Sequence, residues 1–376
     1  MIDYMLAKLE EQMRQSVRLQ MEGDFSAALG GYELIFEALL FYEELGYGQE
    51  TENIRRLALE VQQTPAMTLY CHALILFYRR NFTSALESIK AALALSPDSA
   101  LFCLFKGKIQ TALGDFSCAQ ETFMKFDASA GRAGDSLFIL AAEKEMPGED
   151  YYEWLQRFHQ WLHPVGYVEI GLGHGRSLAL AGAGTKAVGI DPFQGIWEKL
   201  NYVSPHGPAT LFPLSSDDFF EKYDLRKTIG QETFDLAFID GLHLFEQALK
   251  DFINLERYAR RDSVILIHDC LPIAPIVAER EPCTGFWTGD VWRIIPCLKT
   301  FRPDLKIMTI PTKPSGLGVV TNLDPASTVL SDNYDDILRY YLSLKCPETF
   351  EQRRVVCNVG SVDEEYVKEQ FCSKRA

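Results

Sequence analysis

Two apolar segments of the sequence end abruptly in acidic and imidazole side chains. One runs through Phe238 into Asp240 and His243, and the other runs through Ile267 into His268 and Asp269. Carboxylates beside imidazoles can move a proton or bind a divalent cation. The alternative is structural, with histidines at the edge of a sheet held by neighbouring carboxylates. We treat His243, Asp240 and His268 as the candidate catalytic residues.

A glycine-rich segment lies earlier in the chain. Gly171, Gly173 and Gly175 alternate directly after an apolar run, and Asp191 ends the next run, 191 minus 171 or 20 residues after the first glycine. Alternating glycines let the backbone approach a ligand closely, and a carboxylate at this spacing can accept both hydroxyls of a ribose. The pattern G-x-G-x-G lacks the third glycine of the dinucleotide loop, which favours an adenosyl ligand over a nicotinamide dinucleotide.

The elements that must position these residues follow from the hydrophobic pattern. Short apolar runs alternate with helical stretches from Gly166 onward, which predicts a parallel sheet with crossover helices. The predicted strands are YVEIG, AVGID, ATLFPL, FDLAFID and SVILIHD, followed by a predicted antiparallel hairpin of KIMTIP and GLGVVTN. Because ligands of open α/β sheets bind at the carboxyl ends of the strands, the glycine-rich segment, Asp191 and the acidic and imidazole side chains should meet there.

Five parallel strands finished by a hairpin, with these motifs, resemble the class I S-adenosylmethionine-dependent methyltransferase fold. The segments Ile239–His243 and Ile267–Asp269, with Asp251, resemble small-molecule and sugar methyltransferases related to the catechol O-methyltransferases. That resemblance places Asp240 and Asp269 on divalent-metal ligand positions and His243 near a residue used as a base. Cys270 departs from the Asn or Asp common in metal-dependent relatives, so Mg2+ dependence stays open. Without a metal, a neutral imidazole with a pKa near ~6.5 would take the proton.

The resemblance implies that S-adenosylmethionine is the cofactor and that one set of residues binds it. Glu169 would approach the ammonium group of the cofactor, or else only cap the loop. Ser216, in the turn after the third strand, would face the adenine, or else belong to a helix N-cap. The predicted cofactor-binding residues are Glu169, Gly171, Gly173, Gly175, Asp191, Ser216 and Asp240.

An aromatic segment after the fifth strand is the candidate acceptor site. Aromatic faces beside an acid and an arginine suit a hydroxylated substrate such as a sugar. The alternative is a helix docked by two tryptophans. The predicted substrate-binding residues are Trp287, Asp290, Trp292 and Arg293. The expected reaction is O-methylation of a small-molecule acceptor, a glycan or natural-product intermediate.

Residues 1–145 carry an internal repeat. Phe82, Ala85 and Ile89 match Phe116, Ala119 and Phe123 at an offset of 116 minus 82, or 34 residues. This period and the small residues between the aromatics resemble tetratricopeptide repeats. Such repeats imply a protein partner, although a plain supporting helical domain is an equal alternative. First helices are predicted near 68–78 and 101–113.

The sequence therefore predicts a multidomain chain with an all-α tetratricopeptide-like domain over 1–145 and a helical junction over 146–163. An α/β Rossmann-like, seven-stranded methyltransferase domain follows over 164–325, and a helical extension over 326–376. Two other functions compete with small-molecule methylation. One is protein methylation, with the polypeptide recruited by the repeats, and the other is a non-catalytic assembly protein.

Composition limits the partners. The chain has 37 Lys and Arg against 52 Asp and Glu, a net charge of -15, which disfavours nucleic acids and anionic membranes. No apolar run approaches the length of a membrane span, and the N-terminus lacks the apolar core of a signal peptide, so we expect a cytoplasmic protein. The nine cysteines form no CxxC pair, which argues against a disulfide framework and a structural zinc site.

Overall fold

The computed structural model describes residues 2–21, 25–44, 64–130, 135–146, 148–194, 200, 204, 209–282 and 284–372. The chain forms two compact units, Met1–Leu140 and Ala141–Ala376. The predicted boundaries of the four segments stay predictions. No helix among the described residues has the length and apolar character needed to cross a membrane.

The first unit is built from helices that pair along the chain. The helices, given with the one that follows them along the chain, are α1 Ile2–Met21, α2 Phe25–Glu44, α3 Pro65–Tyr78, α4 Phe82–Leu95, α5 Ala100–Ala112, α6 Phe116–Ala130 and α7 Asp135–Glu145. Helix α3 packs on α4, and α5 packs on α6. The predicted first helices are confirmed as α3 and α5.

The repeated phenylalanines have a structural counterpart. Helices α4 and α6 begin at Phe82 and Phe116, the two residues that the 34-residue offset relates. Gly107 of α5 lies against the Phe123 ring of α6, and an added Cβ there would overlap the ring. A small residue thus allows close helix packing, as the repeat pattern requires. The classification of these helices as tetratricopeptide repeats stays a prediction.

A seven-stranded sheet forms the centre of the second unit. Its strands are β1 Gly166–Ile170, β2 Lys186–Ile190, β3 Thr210–Phe212, β4 Leu236–Ile239, β5 Val264–Ile267, β6 Lys306–Ile310 and β7 Leu317–Thr321. The strand order is β3-β2-β1-β4-β5-β7-β6. The first five strands are parallel, and β7 pairs antiparallel with both β5 and β6. All seven predicted strands and the predicted hairpin are confirmed.

Helices cover both faces of this sheet. They are α8 Tyr151–Leu162, α9 Ser216–Lys222, α10 Leu225–Ile229, α11 Phe245–Glu256, α12 Ile294–Phe301, α13 Val329–Asp332, α14 Tyr334–Tyr341, α15 Phe350–Val356 and α16 Glu364–Phe371. On one face, Trp154 and Phe158 of α8 and Val367 of α16 pack against β1, β4 and β5. On the other, α11, α12 and α14 form a second core. The predicted junction and C-terminal extension thus contribute to the cores of this unit.

Candidate active site

The carboxyl ends of four parallel strands bring the predicted site residues to one edge. Ile170 is in register with Ile190 of β2 and with Ile239 of β4, and Ile239 is in register with Ile267 of β5. The residues that follow these positions are Gly171, Asp191, Asp240 and His268. The convergence expected from the sequence is therefore present.

The glycine-rich loop needs glycine for backbone reasons. Gly171, Gly173 and Gly175 all have positive φ, at 82°, 47° and 85°. At Gly171 an added Cβ would overlap the carbonyl oxygen of Asp240. The loop therefore packs backbone to backbone against the end of β4. Among the described residues, no atom lies within 4 Å of a Cβ added at Gly173, so these residues leave the loop open above Gly173.

Asp191 holds the loop at the end of β2. Its carboxylate accepts hydrogen bonds from the backbone N–H groups of Leu172, at 3.1 Å, and Phe193, at 3.0 Å. Each carboxylate oxygen has two acceptor positions, so these two hydrogen bonds do not by themselves exhaust the acceptors of Asp191.

Glu169 lies inside the protein. It is fully buried, and its two oxygens accept hydrogen bonds from Tyr167 Oη and Ser177 Oγ, each at 2.6 Å. Burial raises the pKa of Glu169 to about 8, because the two hydroxyl donors offset only part of the cost of a buried charge. These contacts favour the loop-capping alternative over direct contact with an ammonium group. Sequence reasoning missed Tyr167 and Ser177, although Ser177 ends the glycine-rich segment.

This buried carboxyl predicts a pH dependence of stability. The folded protein holds the Glu169 proton up to about pH 8, whereas the unfolded chain releases it near its ordinary value of 4.5. The contribution of Glu169 to the free energy of unfolding is therefore fully present below pH 4.5 and declines as the pH rises towards 8. Glu169→Gln mimics the protonated side chain and removes this decline. We expect the difference in unfolding free energy between the variant and wild type to grow by about 2 kcal/mol from pH 6 to pH 8.

Urea unfolding of both proteins at pH 6, 7 and 8 measures that gain. Glu232→Gln is the matched control, since the Glu232 side chain is 93% exposed. It should leave the pH dependence unchanged. Parallel curves for wild type and Glu169→Gln would show that Glu169 is ionised in the folded protein.

Two carboxylates and two imidazoles form one cluster at the ends of β4 and β5. His243 Nε2 lies 3.3 Å from Asp240 Oδ1, and His243 Nδ1 lies 3.2 Å from Asp269 Oδ2. His268 Nδ1 lies 3.3 Å from Asp240 Oδ1 and 3.2 Å from Asp269 Oδ1. The cluster is the group of side chains predicted to carry the chemistry.

The carboxylates change the protonation of the imidazoles. Burial lowers the pKa of His243, but the hydrogen bond to Asp240 and the charge of Asp269 outweigh burial and raise that pKa to about 9. The same two carboxylates raise the pKa of His268 despite its burial. The expectation of a neutral imidazole at pH 7 is therefore wrong, because both histidines share the same two carboxylates as charge partners.

The cluster also has the geometry of a cation site. Ligand atoms of Asp240, His243 and Asp269 lie within 4.8 Å of one another. Asp269 Oδ2 is buried without an aligned hydrogen bond, although His243 is close. Cys270 is fully buried, and its sulfur contacts the carbonyls of Ile267 and His268 instead. The thiol therefore does not occupy a ligand position.

Ser216 does not face an open surface. Its hydroxyl donates to Asp251 Oδ1 at 2.5 Å and accepts from Gln247 Nε2 at 3.0 Å, which ties α9 to α11. The helix cap is the neighbouring Ser215, which accepts from the backbone N–H of Asp218. The predicted adenine contact of Ser216 does not fit this buried arrangement.

Three of the four predicted acceptor residues are buried. Asp290, Trp292 and Arg293 are 0%, 1% and 7% exposed. Arg293 donates to the carbonyl oxygens of Tyr341 and Leu344, so its role is structural. The predicted substrate contacts are wrong for these three residues in this conformation, and the docked-helix alternative fits.

Asp290 instead holds the segment that carries His243. Its carboxylate accepts from the backbone N–H of Phe245 at 2.7 Å, and its own N–H donates to the carbonyl of His243 at 3.2 Å. Arg280 and Arg293 balance its buried charge. Only Trp287 remains near the reactive side chains, with its ring 5.4 Å from that of His243.

Tyr151, which sequence reasoning missed, completes the surroundings of the cluster. Its ring centroid lies 4.2 Å from that of His268 and 6.2 Å from that of Phe238. Tyr151 comes from the predicted junction, far along the chain from every motif, so no local pattern marked it.

The comparisons with known proteins bear on the same stretch of chain. Residues 168–270 match the model of a methyltransferase domain family. No curated protein is significantly similar in sequence. Among solved structures, an O-methyltransferase from Bacillus cereus in complex with SAH shares 15% identity at a TM-score of 0.35, over 53% of this chain and 96% of that one.

Two further solved structures have similar values. The O-methyltransferase TomG from Streptomyces achromogenes, involved in tomaymycin synthesis and in complex with SAM, shares 16% identity at a TM-score of 0.37, over 54% of this chain and 95% of that one. The SAH-bound methyltransferase PaMTH1 from Podospora anserina shares 13% identity at a TM-score of 0.36, over 55% of this chain and 96% of that one. It is residues 168–270 that match the methyltransferase domain family.

Proposed function

We propose that this protein transfers the methyl group of S-adenosylmethionine to a hydroxyl oxygen of a small acceptor. One observation carries the proposal. The open glycine-rich loop, Asp191 and the cluster of Asp240, His243, His268 and Asp269 share one sheet edge within a methyltransferase domain. An adenosyl group and a proton-accepting cluster are thereby brought side by side.

Each element at this edge has a part in holding the cofactor. The loop from Gly171 to Gly175 offers its backbone to the amino-acid half, and Asp191 accepts the ribose hydroxyls. The cofactor supplies an electrophilic methyl group on a positively charged sulfur. Burial opposes the ionisation of Asp240, but the two imidazoles outweigh burial and hold the pKa of Asp240 below its usual range, so its carboxylate favours that positive charge.

The transfer itself needs alignment and removal of one proton. The acceptor oxygen forms a bond to the methyl carbon as the carbon–sulfur bond breaks, and S-adenosylhomocysteine leaves. Because the pKa of His243 is raised to about 9, that imidazole first releases its own proton to solvent and then takes the proton of the acceptor hydroxyl. Holding the two reactants in line supplies much of the rate.

A divalent cation fits the cluster. Asp240 and Asp269 would hold it through oxygen, as the resemblance implies, and His243 would add a nitrogen donor. Because Mg2+ prefers oxygen alone while Mn2+ and Zn2+ accept imidazole, this donor set suits the latter two better. A bound cation would polarise the acceptor hydroxyl.

The acceptor is proposed to have an apolar face beside its hydroxyl group. Trp287 is half-buried next to His243, and Leu242, between Gly241 and His243, is 60% exposed. A sugar ring or another compact hydroxylated molecule presents such a face together with hydroxyl groups.

Isothermal titration of the purified protein with S-adenosylmethionine and S-adenosylhomocysteine tests this function, with NAD as the control ligand. We expect micromolar binding of the first two and none of NAD. Titrations with EDTA, Mg2+ and Mn2+ show whether a cation contributes. A folded protein that binds neither adenosyl compound would overturn the proposal in favour of an assembly protein.

Asp191→Ala measures the proposed ribose contact. Loss of a charged hydrogen-bond acceptor should weaken S-adenosylmethionine binding by about 1–3 kcal/mol. Asp224→Ala is the matched control, since Asp224 is an exposed helix cap away from this edge. Unchanged affinity in Asp191→Ala would contradict the placement of the cofactor.

A further inference from the structure

The start of helix α8 lies beside the glycine-rich loop, outside the stretch that matches the methyltransferase family. Asp150 caps this helix by accepting from the backbone N–H of Glu153, and the Glu153 side chain accepts from the N–H of Asp150 in return. The backbone N–H of Tyr151 donates to the carbonyl of Lys313 at 3.0 Å. The helix cap and the hydrogen bond to Lys313 therefore both fix the backbone at Tyr151.

The tyrosine hydroxyl at this position has no partner of its own. Among the residues that the structure describes, none forms a hydrogen bond with Tyr151 Oη. Burial, and to a lesser degree the charge of Asp240, raise the pKa of the Tyr151 phenol above its usual value, while Arg176 opposes them. The hydroxyl thus keeps its proton, and the Tyr151 ring lies against Phe238 and His268 at the ends of β4 and β5.

Arg176 links the glycine-rich loop to the same helix. Its guanidinium carbon lies 3.7 Å from the ring centroid of Tyr152, the distance of a close cation–π contact. Arg176 directly follows Gly175, so this contact joins the glycine-rich loop to the start of α8. The guanidinium therefore lies against the residue next to Tyr151, and a guanidinium together with a phenol donor can recognise a carboxylate.

We propose that Tyr151 and Arg176 bind the carboxylate of the amino-acid half of S-adenosylmethionine. This inference rests on the proposed function and extends the cofactor site to a helix outside residues 168–270. The phenol donates one hydrogen bond and the guanidinium supplies the charge. The adenosine half, held at Asp191, makes no use of either side chain.

The test compares two ligands that differ in this half. S-adenosylmethionine carries the amino acid, and 5′-methylthioadenosine lacks it. Isothermal titration of Tyr151→Phe should show about tenfold weaker binding of S-adenosylmethionine, the effect of one hydrogen bond to a charged group. Arg176→Met should show a loss of about thirtyfold or more. Binding of 5′-methylthioadenosine should stay within about twofold of wild type in both variants.

Tyr223→Phe is the matched control, because Tyr223 is 44% exposed and packs on Phe219 away from the loop. It should change neither affinity. Unchanged binding of S-adenosylmethionine in Tyr151→Phe, or an equal loss for both ligands, would overturn the inference while the proposed function stands. Failure of the wild-type protein to bind either ligand would overturn the proposed function and this inference with it.

Discussion

Replacing Gly171 by alanine is expected to destabilise the second unit by about 2–5 kcal/mol and to abolish measurable binding of S-adenosylmethionine. The φ of Gly171 is 82°, which costs an L-residue about 1–2 kcal/mol. The new Cβ would also overlap the carbonyl of Asp240 and the α-carbon of Gly241. Since both are backbone atoms, relief requires β1 and β4 to separate at the edge where the cofactor loop begins, which adds a steric cost of about 1–3 kcal/mol.

Chemical unfolding and calorimetry measure these two effects. Gly230→Ala is the matched control, because Gly230 also has positive φ, at 64°, but nothing lies within 4 Å of an added Cβ. It should cost only about 1–2 kcal/mol and leave cofactor affinity unchanged. If the two variants were equally stable, the close approach between Gly171 and Asp240 would be contradicted.

Replacing His243 by alanine is expected to lower turnover by about 100- to 10,000-fold, the usual contribution of a group that handles a proton. The change leaves Asp240 and Asp269 without the imidazole that lies between them. Affinity for S-adenosylmethionine should stay within about threefold, because the loop and Asp191 do not contact this side chain.

Transfer of a labelled methyl group from S-adenosylmethionine to a panel of hydroxylated acceptors measures this loss. His72→Ala is the matched control, since His72 is a histidine of the first unit that hydrogen-bonds Ser88. It should retain turnover within about twofold. Full activity in His243→Ala would remove this imidazole from the chemistry.

Much of the fold could be predicted because its signals are local. Short apolar runs such as those ending at Ile170 and Ile239 alternate with helical stretches, and this alternation sets a parallel sheet. Residues that follow parallel strands lie at the same edge of the sheet. The sequence alone therefore predicts that Asp191, Asp240 and Asp269 lie close together. The helices of the first unit follow from a 34-residue period in the same way.

The acceptor segment could not be predicted from its composition. An acid and an arginine between tryptophans resemble a binding surface. The Asp290 carboxylate, however, already accepts hydrogen bonds from the backbone N–H of Phe245 and the guanidinium of Arg280. The contact to Phe245 spans 45 residues of chain. No local pattern reveals which polar groups a buried carboxylate will satisfy, because its partners come from other elements.

The sequence by itself determined the alternation of strands and helices. It also determined the loop glycines, Asp191 and the acidic and imidazole residues at the ends of β4 and β5. Only the tertiary structure decided their charge states and their neighbours. Glu169 holds a proton because it is buried and its two hydroxyl donors offset only part of the cost of a buried charge, and His243 gains one because two carboxylates flank it. Tyr151 joins the site only through packing of α8 on the sheet. Residue types are written in the chain, whereas burial and charge pairing depend on contacts between distant segments.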